Sequence, residues 1–380
     1  MELKPGYQQT EVGVIPEDWD PKNIGGFVTL RRGHDLTWRD RRDGDIPIMG
    51  SGGPNGFHDT ALAKGPGVVL GRSGASFGQA HYCEPDFWPH NTALYVTDFK
   101  GNHPLFVYYL LSWIDFSSHN SGGAQQSLNR NFIAPIEIGV PAPDEQLCIA
   151  KALGDVDELI IALEELISKK SNIKHAAMQE LLTGKRRLPG FEGEWEEVQL
   201  GDIAAIRNAK AVTSSMQAET RCVELECIEQ GSGRLLMSNH PTGETTKYTF
   251  NKGDVLFGRL RAYLRKFWLA SFNGVCSTEI WPLIARDERL SAGFLHLLVQ
   301  TNDFIDAACI SYGTHMPRSD WSVLRKFQVK LPPRPEQDAI ATLIAGLDAE
   351  LSDLVQHSQK TAYLKQGMMQ QLLTGKIRLK

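Results

Sequence analysis

Four cations and a tyrosine near residue 260 could bind a nucleic-acid base or a phosphate group. They occur within eight residues: Arg259, Arg261, Tyr263, Arg265 and Lys266. A planar guanidinium matches the paired acceptors on the edge of guanine, and any cation can contact a phosphate. The group follows an apolar run in alternation, which predicts a strand with residues 259, 261, 263 and 265 on one face. A solvated strand face is the alternative, and it is the commoner reason for such a pattern.

Side chains suited to reading bases also occur in other loops. Asn and Gln present a donor and an acceptor together, which matches the edge of adenine. The candidates before the last predicted strand of each half are Gln125, Gln126, Asn129, Arg130, His315 and Arg318. Arg72 and Ser73 follow a predicted strand of the first half, at the position that Arg259 takes in the second. A polar turn, or a surface ion pair for Arg72, stays open as the alternative.

A further concentration of positive charge lies between residues 31 and 42. Its five arginines stand against two aspartates: Arg31, Arg32, Arg39, Arg41 and Arg42. A dense cluster supplies charge more readily than geometry, so it favours phosphate contacts over base reading, with a solvated face as the alternative. The net charge of −5 argues weakly against a nucleic-acid protein, but local cationic patches persist on an acidic average.

Sequence motifs for catalysis, metal binding and membrane insertion are missing from the chain. It contains no G-x-x-x-x-G-K-[ST] phosphate loop and neither the Asn-Pro-Pro-Tyr nor the Asp-Pro-Pro-Tyr motif of amino-methyltransferases. The glycine-rich residues 50–56 could cradle a phosphate, although a hairpin turn is the better interpretation. The six cysteines form no CxxC pair, so we expect reduced thiols and no metal site. A polar beginning and the lack of a run of about eighteen apolar residues predict a cytoplasmic protein without a membrane span.

The element that must position these loops is a long helix that occurs twice. Residues 141–188 align without a gap with residues 332–379, and 18 of the 48 positions are identical. Within each copy the apolar residues recur at alternating steps of four and three, which is the seam of a coiled coil. Within each copy prolines stand before the helix, and Gly184 or Gly375 follows it, so each helix should be about forty residues long.

The two long helices should pair with each other. A helix of this length with a narrow apolar stripe needs a partner, and the other copy has the matching pattern. Helix one leads from the first globular segment to the second and helix two leads back, so the pair should run antiparallel. Residues 5–7 resemble residues 189–191, and each is followed by an acidic residue and a tryptophan, at 18–19 and 194–195. The end of the chain should therefore lie beside its beginning, as in a closed ring.

Each globular segment repeats one order of short elements. Apolar runs broken by Gly, Pro and Asn predict strands and turns with few helices. In the first half we predict strands at 67–72 and 93–96 and a helix at 104–115; in the second, strands at 253–259 and 279–283 and a helix at 291–301. The predicted fold class is therefore α+β, with two domains of one fold.

This arrangement resembles the specificity subunit of type I restriction-modification enzymes over the whole chain. The strongest similarity is a Pro-rich, Glu-Gln helix start and a Leu-Leu-Thr-Gly-Lys helix end in each copy: Pro141, Glu145, Gln146 and 181–185, then Pro332, Glu336, Gln337 and 372–376. The turn at 50–53 and the Gly-Arg pairs at 71–72 and 258–259 also look like that family's target-recognition domains.

The resemblance implies a particular organisation and function. Two similar mixed α/β target-recognition domains, residues 1–140 and 188–331, would be separated by long antiparallel coiled-coil helices, residues 141–187 and 332–380, in a pseudo-two-fold cyclic arrangement. Each domain would read one half of a bipartite site in double-stranded DNA. The helix pair would space the domains and dock two modification subunits, and restriction subunits would join them. This chain would be non-catalytic and bind no cofactor, with S-adenosylmethionine, ATP and Mg expected on the partner subunits.

Two functions of other classes stay open at this stage. The chain could be a coiled-coil scaffold that joins two protein partners without reading DNA. It could also be a stand-alone DNA-modifying enzyme whose motifs have degenerated. Turnover with S-adenosylmethionine or Mg²⁺ would identify the enzyme, and a lack of salt-dependent binding to duplex DNA would identify the scaffold.

Overall fold

The computed structural model describes residues 5–119, 127–215, 219–241, 245–310 and 317–380. The chain divides into two compact units, the first made of Met1–Glu164 with Gln356–Lys380 and the second of Glu165–Val355. Each unit therefore contains one part of each long helix. Within the described ranges, no helix has the length and apolar character needed to cross a membrane.

The first half of the chain contains mostly short strands before its long helix. The strands are β1 (Tyr7–Thr10), β2 (Gly13–Pro16), β3 (Asp20–Asn23), β4 (Thr29–Arg32), β5 (Ile46–Gly50), β6 (Gly53–His58), β7 (Gly67–Gly71), β8 (Ala80–Cys83), β9 (Trp88–Pro89), β10 (Ala93–Asp98) and β11 (Glu137–Val140). The helices are α1 (Ile24–Phe27), α2 (Pro104–Trp113), α3 (Arg130–Ile133) and α4 (Pro143–Leu181).

The second half has the same character. Its strands are β12 (Glu196–Gln199), β13 (Ala204–Ile206), β14 (Lys210–Val212), β15 (Cys222–Val223), β16 (Thr246–Phe250), β17 (Val255–Gly258), β18 (Phe267–Leu269), β19 (Gly274–Cys276), β20 (Ile280–Ala285) and β21 (Gln328–Leu331). Its helices are α5 (Leu200–Ile203), α6 (Ala292–Leu298), α7 (Asn302–Cys309), α8 (Trp321–Leu324) and α9 (Arg334–Leu372).

The core of the first unit is a four-stranded antiparallel sheet in the order β4-β10-β7-β8. Strand β7 is apolar between two glycines and is buried over its whole length, as expected of a strand covered on both faces. Helix α2 packs on β7 and β8 and buries Phe106 and Leu110 in the same core as Val68 and Leu70. Burying one such side chain stabilises the fold by about 1.5–3 kcal/mol.

The second unit repeats this architecture. Its four-stranded antiparallel sheet has the order β13-β20-β17-β18, which matches that of the first unit strand by strand. Strand β17 is buried over its whole length, like β7, and α6 packs on the sheet as α2 does. A two-stranded antiparallel pair joins the beginning and end of each domain, β3 with β11 and β12 with β21. The prediction of two domains with one fold is confirmed.

The two long helices each span 39 residues, as predicted. In the first unit Ile149 and Leu153 of α4 share a core with Leu372 and Leu373 of α9. In the second unit Leu181 at the end of α4 shares a core with residues 340 and 344 at the start of α9. In the first unit Glu145 pairs with Arg378 and Asp157 pairs with Lys365. In the second unit Lys170 pairs with Glu350 and Lys174 pairs with Asp348. Rising numbers in one segment therefore meet falling numbers in the other, so the segments run antiparallel.

The start of α4 is bound to both ends of the chain. Glu145, 6% exposed, accepts hydrogen bonds from Trp19 Nε1 at 3.0 Å and from Nε and Nη2 of Arg378 at 2.7 Å each. The hydroxyl of Tyr7 donates to the carbonyl oxygen of Gly375 at 2.9 Å. The predicted closeness of the chain's beginning and end is therefore confirmed within the first unit.

The same three residue types meet at the start of α9. Glu336 is fully buried and accepts from Trp195 Nε1 at 3.1 Å and from Nε and Nη2 of Arg187 at 2.5 and 2.6 Å. The Arg187 guanidinium also lies over the Trp195 ring, 5.5 Å from its centroid. The Glu of the helix start, the Trp of the domain start and the Arg after the helix end thus form one Trp–Glu–Arg junction in each unit.

The glutamine beside each of these glutamates anchors a domain helix. Gln146 Oε1 accepts from the backbone N–H of His103, the residue before α2, at 2.9 Å. Gln337 Oε1 accepts from the N–H of Ser291, the residue before α6, at 2.8 Å. Each long helix thus satisfies a backbone donor at the start of the domain helix beside it, where intrahelical partners are lacking. This explains the Glu-Gln pair that the two repeats share.

Candidate nucleic-acid interface

A cationic cleft of about 400 Å³ opens beside the sheet of the first unit. It is lined by four arginines and three other residues: Arg31, Arg32, Arg72, Arg130, Leu94, Leu128 and Asn129. The guanidinium groups of Arg31, Arg32 and Arg130 have no hydrogen-bond or ion-pair partner among the described residues. A cleft lined by positive charge attracts anions. The N–H groups of these three arginines are available to bind them.

Strand pairing and a turn bring these arginines together. Arg32 lies opposite Leu94 in the β4–β10 pair. The backbone N–H of Arg72 donates to Thr92 O at 3.0 Å, and its carbonyl accepts from Leu128 N at 2.8 Å. Burial, followed by the positive charge of Arg32, lowers the pKa of Arg72 from its ordinary value. A nearby anion would relieve that repulsion.

Three further predicted residues of the first domain lie around Arg72. Ser73 forms an isolated antiparallel bridge with Ser127, which brings the loop before α3 alongside. Asn129 caps α3, its Oδ1 accepting from Asn131 N at 3.0 Å, and Arg130 is the exposed first residue of that helix. The structure thus brings Arg72, Ser73, Asn129 and Arg130 together, while Gln125 and Gln126 lie outside the described residues.

Arg259 occupies the same structural position in the second unit. Its backbone N–H donates to Glu279 O at 2.9 Å, and its carbonyl accepts from Ser319 N at 2.8 Å. The predicted equivalence of Arg72 and Arg259 is confirmed by this shared pattern. The guanidinium of Arg259 lies over the Trp281 ring, 5.0 Å from its centroid.

The predicted strand through residues 259–265 is wrong. Strand β17 ends at Gly258, and residues 262–264 form a 3-10 turn. Arg261 and Arg265 on either side of it have φ values of 53° and 51°, which reverse the chain and prevent side-chain alternation. Arg261 and Tyr263 are exposed, whereas Arg265 Nη1 donates to Gln300 O at 3.0 Å.

Two other predicted contacts of the second domain already have partners. The ammonium of Lys266 donates to Leu225 O and Ile228 O, at 2.6 and 2.9 Å. Arg318 forms a bidentate ion pair with Glu279, at 2.9 to 3.1 Å, and hydrogen bonding to that carboxylate raises the pKa of Arg318. Their donors are therefore less available to DNA than those of Arg259. His315 lies outside the described residues.

The arginine cluster at 31–42 contains arginines that contact other residues of the protein and arginines that line the cationic cleft. Arg42 forms a bidentate pair with Asp59, and Arg41 donates to Asn55 O at 2.9 Å. Arg39 lies over the ring of its exposed neighbour Trp38. Only Arg31 and Arg32 of this cluster enter the cationic cleft. The glycine-rich residues beside the cluster form the predicted hairpin, with Gly50 paired to Gly53.

Two aromatic residues of the second domain were not predicted to take part. Trp281 is the second residue of β20, as Leu94 is of β10, and Trp321 begins α8, as Arg130 begins α3. Their rings meet edge to face at 5.9 Å. The two domains therefore place different chemistry at these two positions, a leucine and an arginine in the first domain and a tryptophan pair in the second. Aligning β20 with β10 from sequence would have placed Trp281 at this position.

The chain is a two-domain protein in which each domain carries an arginine at the same position of one fold. Residues 16–174 and 192–364 both match the model of the type I restriction modification DNA specificity domain, so the chain belongs to that family. It is 22% identical to the type I restriction enzyme MjaVIII specificity subunit of Methanocaldococcus jannaschii, over 96% of this chain and 94% of that protein. It is also 22% identical to the EcoDI specificity subunit of Escherichia coli, over 96% of this chain and 88% of that protein.

Solved structures agree with this fold. The S subunit of a type I restriction-modification system from M. genitalium superimposes with a TM-score of 0.66 at 15% identity, covering 98% of both chains. A chain from work on complex assembly and conformational transition of the type I system gives a TM-score of 0.58 at 14% identity, covering 96% of this chain and 99% of that one. The chain is a specificity subunit of a type I restriction-modification system, and it recognises DNA sequence.

Proposed function

We propose that the two domains read separate halves of a bipartite duplex site. The first domain would use the cationic cleft, and the second would use Arg259 with the exposed Arg261 and Tyr263. The observation that carries this proposal is the cleft itself. Three of its four arginines have no partner among the described residues, and no carboxylate lines it.

The energetic argument favours a nucleic-acid ligand for the cleft. Gathering four guanidinium groups without counter-charges is unfavourable because like charges repel. The pKa of Arg72 is lowered first by burial and then by the positive charge of Arg32. Duplex DNA supplies regularly spaced phosphates and guanine edges, and both accept hydrogen bonds from arginine. Arg31, Arg32 and Arg130 would contact phosphates, and the better-anchored Arg72 would contact a base.

We also propose that the helix pair docks two modification subunits, one on each unit. In the first unit the helical segments expose Leu159, Ile161, Tyr363 and Leu364. In the second unit they expose Leu166, Ile173 and Leu343. These exposed apolar side chains do not take part in pairing the two helices. They can therefore pack against helices of another protein. Two such surfaces support two modification subunits.

The remaining assignments follow from the family and the charge of this chain. Methyl transfer and cleavage would reside in the modification and restriction subunits, together with S-adenosylmethionine, ATP and Mg. This chain would contribute the choice of sequence and no catalytic group. The proposed interface consists of donors and cations, which suits recognition of DNA rather than acid–base chemistry.

Salt-dependent binding of the complex with its modification subunit tests the interface. We expect Arg31→Ala and Arg130→Ala each to weaken binding on all DNA sequences and to reduce the slope of log affinity against log salt by about 1. Lys22→Ala is the matched control. It removes one positive charge from the same domain, but Lys22 already lies 3.4 Å from Asp20.

The alternatives predict other results. A scaffold that does not read DNA would leave the salt slope unchanged in every variant. A stand-alone enzyme would turn over DNA with S-adenosylmethionine or Mg²⁺ when the partners are omitted. Equal effects of Arg31→Ala and Lys22→Ala would show that the cleft is not the interface.

A further inference from the structure

The guanidinium of Arg259 lies over an aromatic ring and has no hydrogen-bond partner among the described residues. Its centre lies 5.0 Å from the centroid of Trp281, a ring that is 3% exposed. Its Nε is buried and has no partner among the described residues. Leaving a buried donor unsatisfied is unfavourable, so such a group points to a ligand that completes it.

The position of the Arg259 side chain is fixed both by its own backbone hydrogen bonds and by the ring beneath it. The backbone of Arg259 is bound through its N–H to Glu279 and through its carbonyl to Ser319. Trp281 beneath it is held in turn by the edge of the Trp321 ring. Contact with a fixed ring restricts the guanidinium before any ligand arrives, so binding costs less conformational entropy.

Two acidic residues near Arg259, Asp320 and Glu279, already have partners for their carboxylates. Asp320 accepts from Ser322 N at 2.8 Å as the cap of α8, and hydrogen bonding to Ser322, with a lesser contribution from the charge of Arg259, lowers the pKa of Asp320. The side chain of Glu279 is bound in bidentate fashion by Arg318. Neither carboxylate forms an ion pair with Arg259, so its donors remain available.

The geometry indicates the kind of DNA group that Arg259 binds. A phosphate needs positive charge without a fixed direction, and the exposed Arg261 beside it can supply that. A planar guanidinium whose position is restricted by the ring beneath it suits two acceptors in one plane, and guanine presents O6 and N7 in this way in the major groove. No other base offers two acceptors to it there.

Resting on the proposed function, we infer that Arg259 reads a guanine in the half-site that the second domain recognises. The tryptophan pair orients the guanidinium, and Arg261 and Tyr263 lie beside it to contact the backbone. The first domain has no such platform, because Leu94 and Arg130 occupy the positions of Trp281 and Trp321. The two domains would therefore contact bases with arginines in different surroundings, Arg259 on a tryptophan pair and Arg72 without one.

The test first requires the recognised sequence, obtained by sequencing the methylated DNA of cells that carry the complete system. Duplexes are then made with 7-deazaguanine at one guanine at a time, which removes the N7 acceptor and keeps base pairing. With the unaltered complex, one position in the half-site that the second domain recognises should weaken binding by roughly 5- to 100-fold. This arm uses no variant and is independent of any folding defect.

Variants complete the test. Arg259→Lys keeps the charge but cannot bind two acceptors in one plane, so it should lose discrimination at that one base pair and become insensitive to 7-deazaguanine there. Arg289→Ala is the control, since Arg289 is bound to Asp287 and Glu196 in the same domain. It should keep the sensitivity of the unaltered protein.

Several outcomes overturn the inference while leaving the proposed function intact. One is a pair of half-sites in which neither contains a G·C pair. Another is specific binding that 7-deazaguanine does not weaken at any position. A third is an Arg259→Lys variant that keeps the discrimination of the unaltered protein at every base pair. A complex that binds all duplexes equally would refute the proposed function itself, and the inference with it.

Discussion

Removal of the Glu145 carboxylate should destabilise the first unit strongly. In Glu145→Ala the indole N–H of Trp19, a side chain only 1% exposed, loses its acceptor. Arg378 loses two hydrogen bonds of 2.7 Å, and the backbone N–H of Leu379 loses one of 3.3 Å. These groups join the beginning of the chain, the start of α4 and the end of α9, so the defect affects three segments together.

The size of the effect can be derived from these contacts. Breaking a buried ion pair by removing one partner costs about 3–5 kcal/mol. Arg378 keeps its ion pair with Asp18 and is 20% exposed, which places the loss at the lower end, about 3 kcal/mol. For a unit of this size each kcal/mol lowers Tm by about 2–4 °C, so the expected fall is about 6–12 °C.

Calorimetry and chemical denaturation of the full chain would measure this change. Glu145→Gln retains the shape and one acceptor oxygen, so it should cost less than the alanine variant. Glu164→Ala, which removes an exposed glutamate from the same helix, should change stability by less than about 0.5 kcal/mol. A loss below about 1 kcal/mol for Glu145→Ala would refute the reasoning, because the junction would then not hold the unit together.

Three further predictions concern pH, chain connectivity and helix length. Burial alone would raise the pKa of Glu145, but hydrogen bonds from Arg378 and Trp19 outweigh it and lower the pKa, so its stabilising effect is lost as pH falls below about 4. The difference in Tm between the unaltered protein and Glu145→Gln should therefore shrink from pH 7 to pH 3. A circular permutant that joins the C-terminus to Pro5 and opens after Lys185 should fold and bind its partners, since the contacts within the first unit already bring the ends together; an insoluble product would contradict this. One heptad inserted after residue 163 and another after residue 354 keep the seam in phase and add about 10.5 Å, so the preferred spacer between half-sites should grow by up to about three base pairs. An unchanged spacer would show that helix length does not set the distance between half-sites, and the helices would then serve only to dock partners.

Local patterns predicted the elements of this protein well. The helix over Pro143–Leu181 follows from a repeated step of three and four residues, and Gly184, with a φ of 71°, takes the left-handed conformation that often ends helices. Strand β7 follows from an apolar run between glycines. The turn at 261–265 escaped prediction because left-handed arginines leave no periodic signal. Its backbone is held in part by residues distant in sequence, since Arg261 N donates to Pro317 O and Arg265 O accepts from Gly231 N.

The sequence alone determined that the chain is duplicated, that its long helices can pair and that each half has one fold, because all three depend on patterns that repeat along the chain. The tertiary structure decided which cations are available to a ligand. Arg42, Lys266 and Arg318 have partners that lie far from them in sequence, whereas strand pairing brings Arg32 beside Arg72 in an open cleft. A side chain's free donors depend on what the fold places next to it, and that proximity arises only when distant segments pack together.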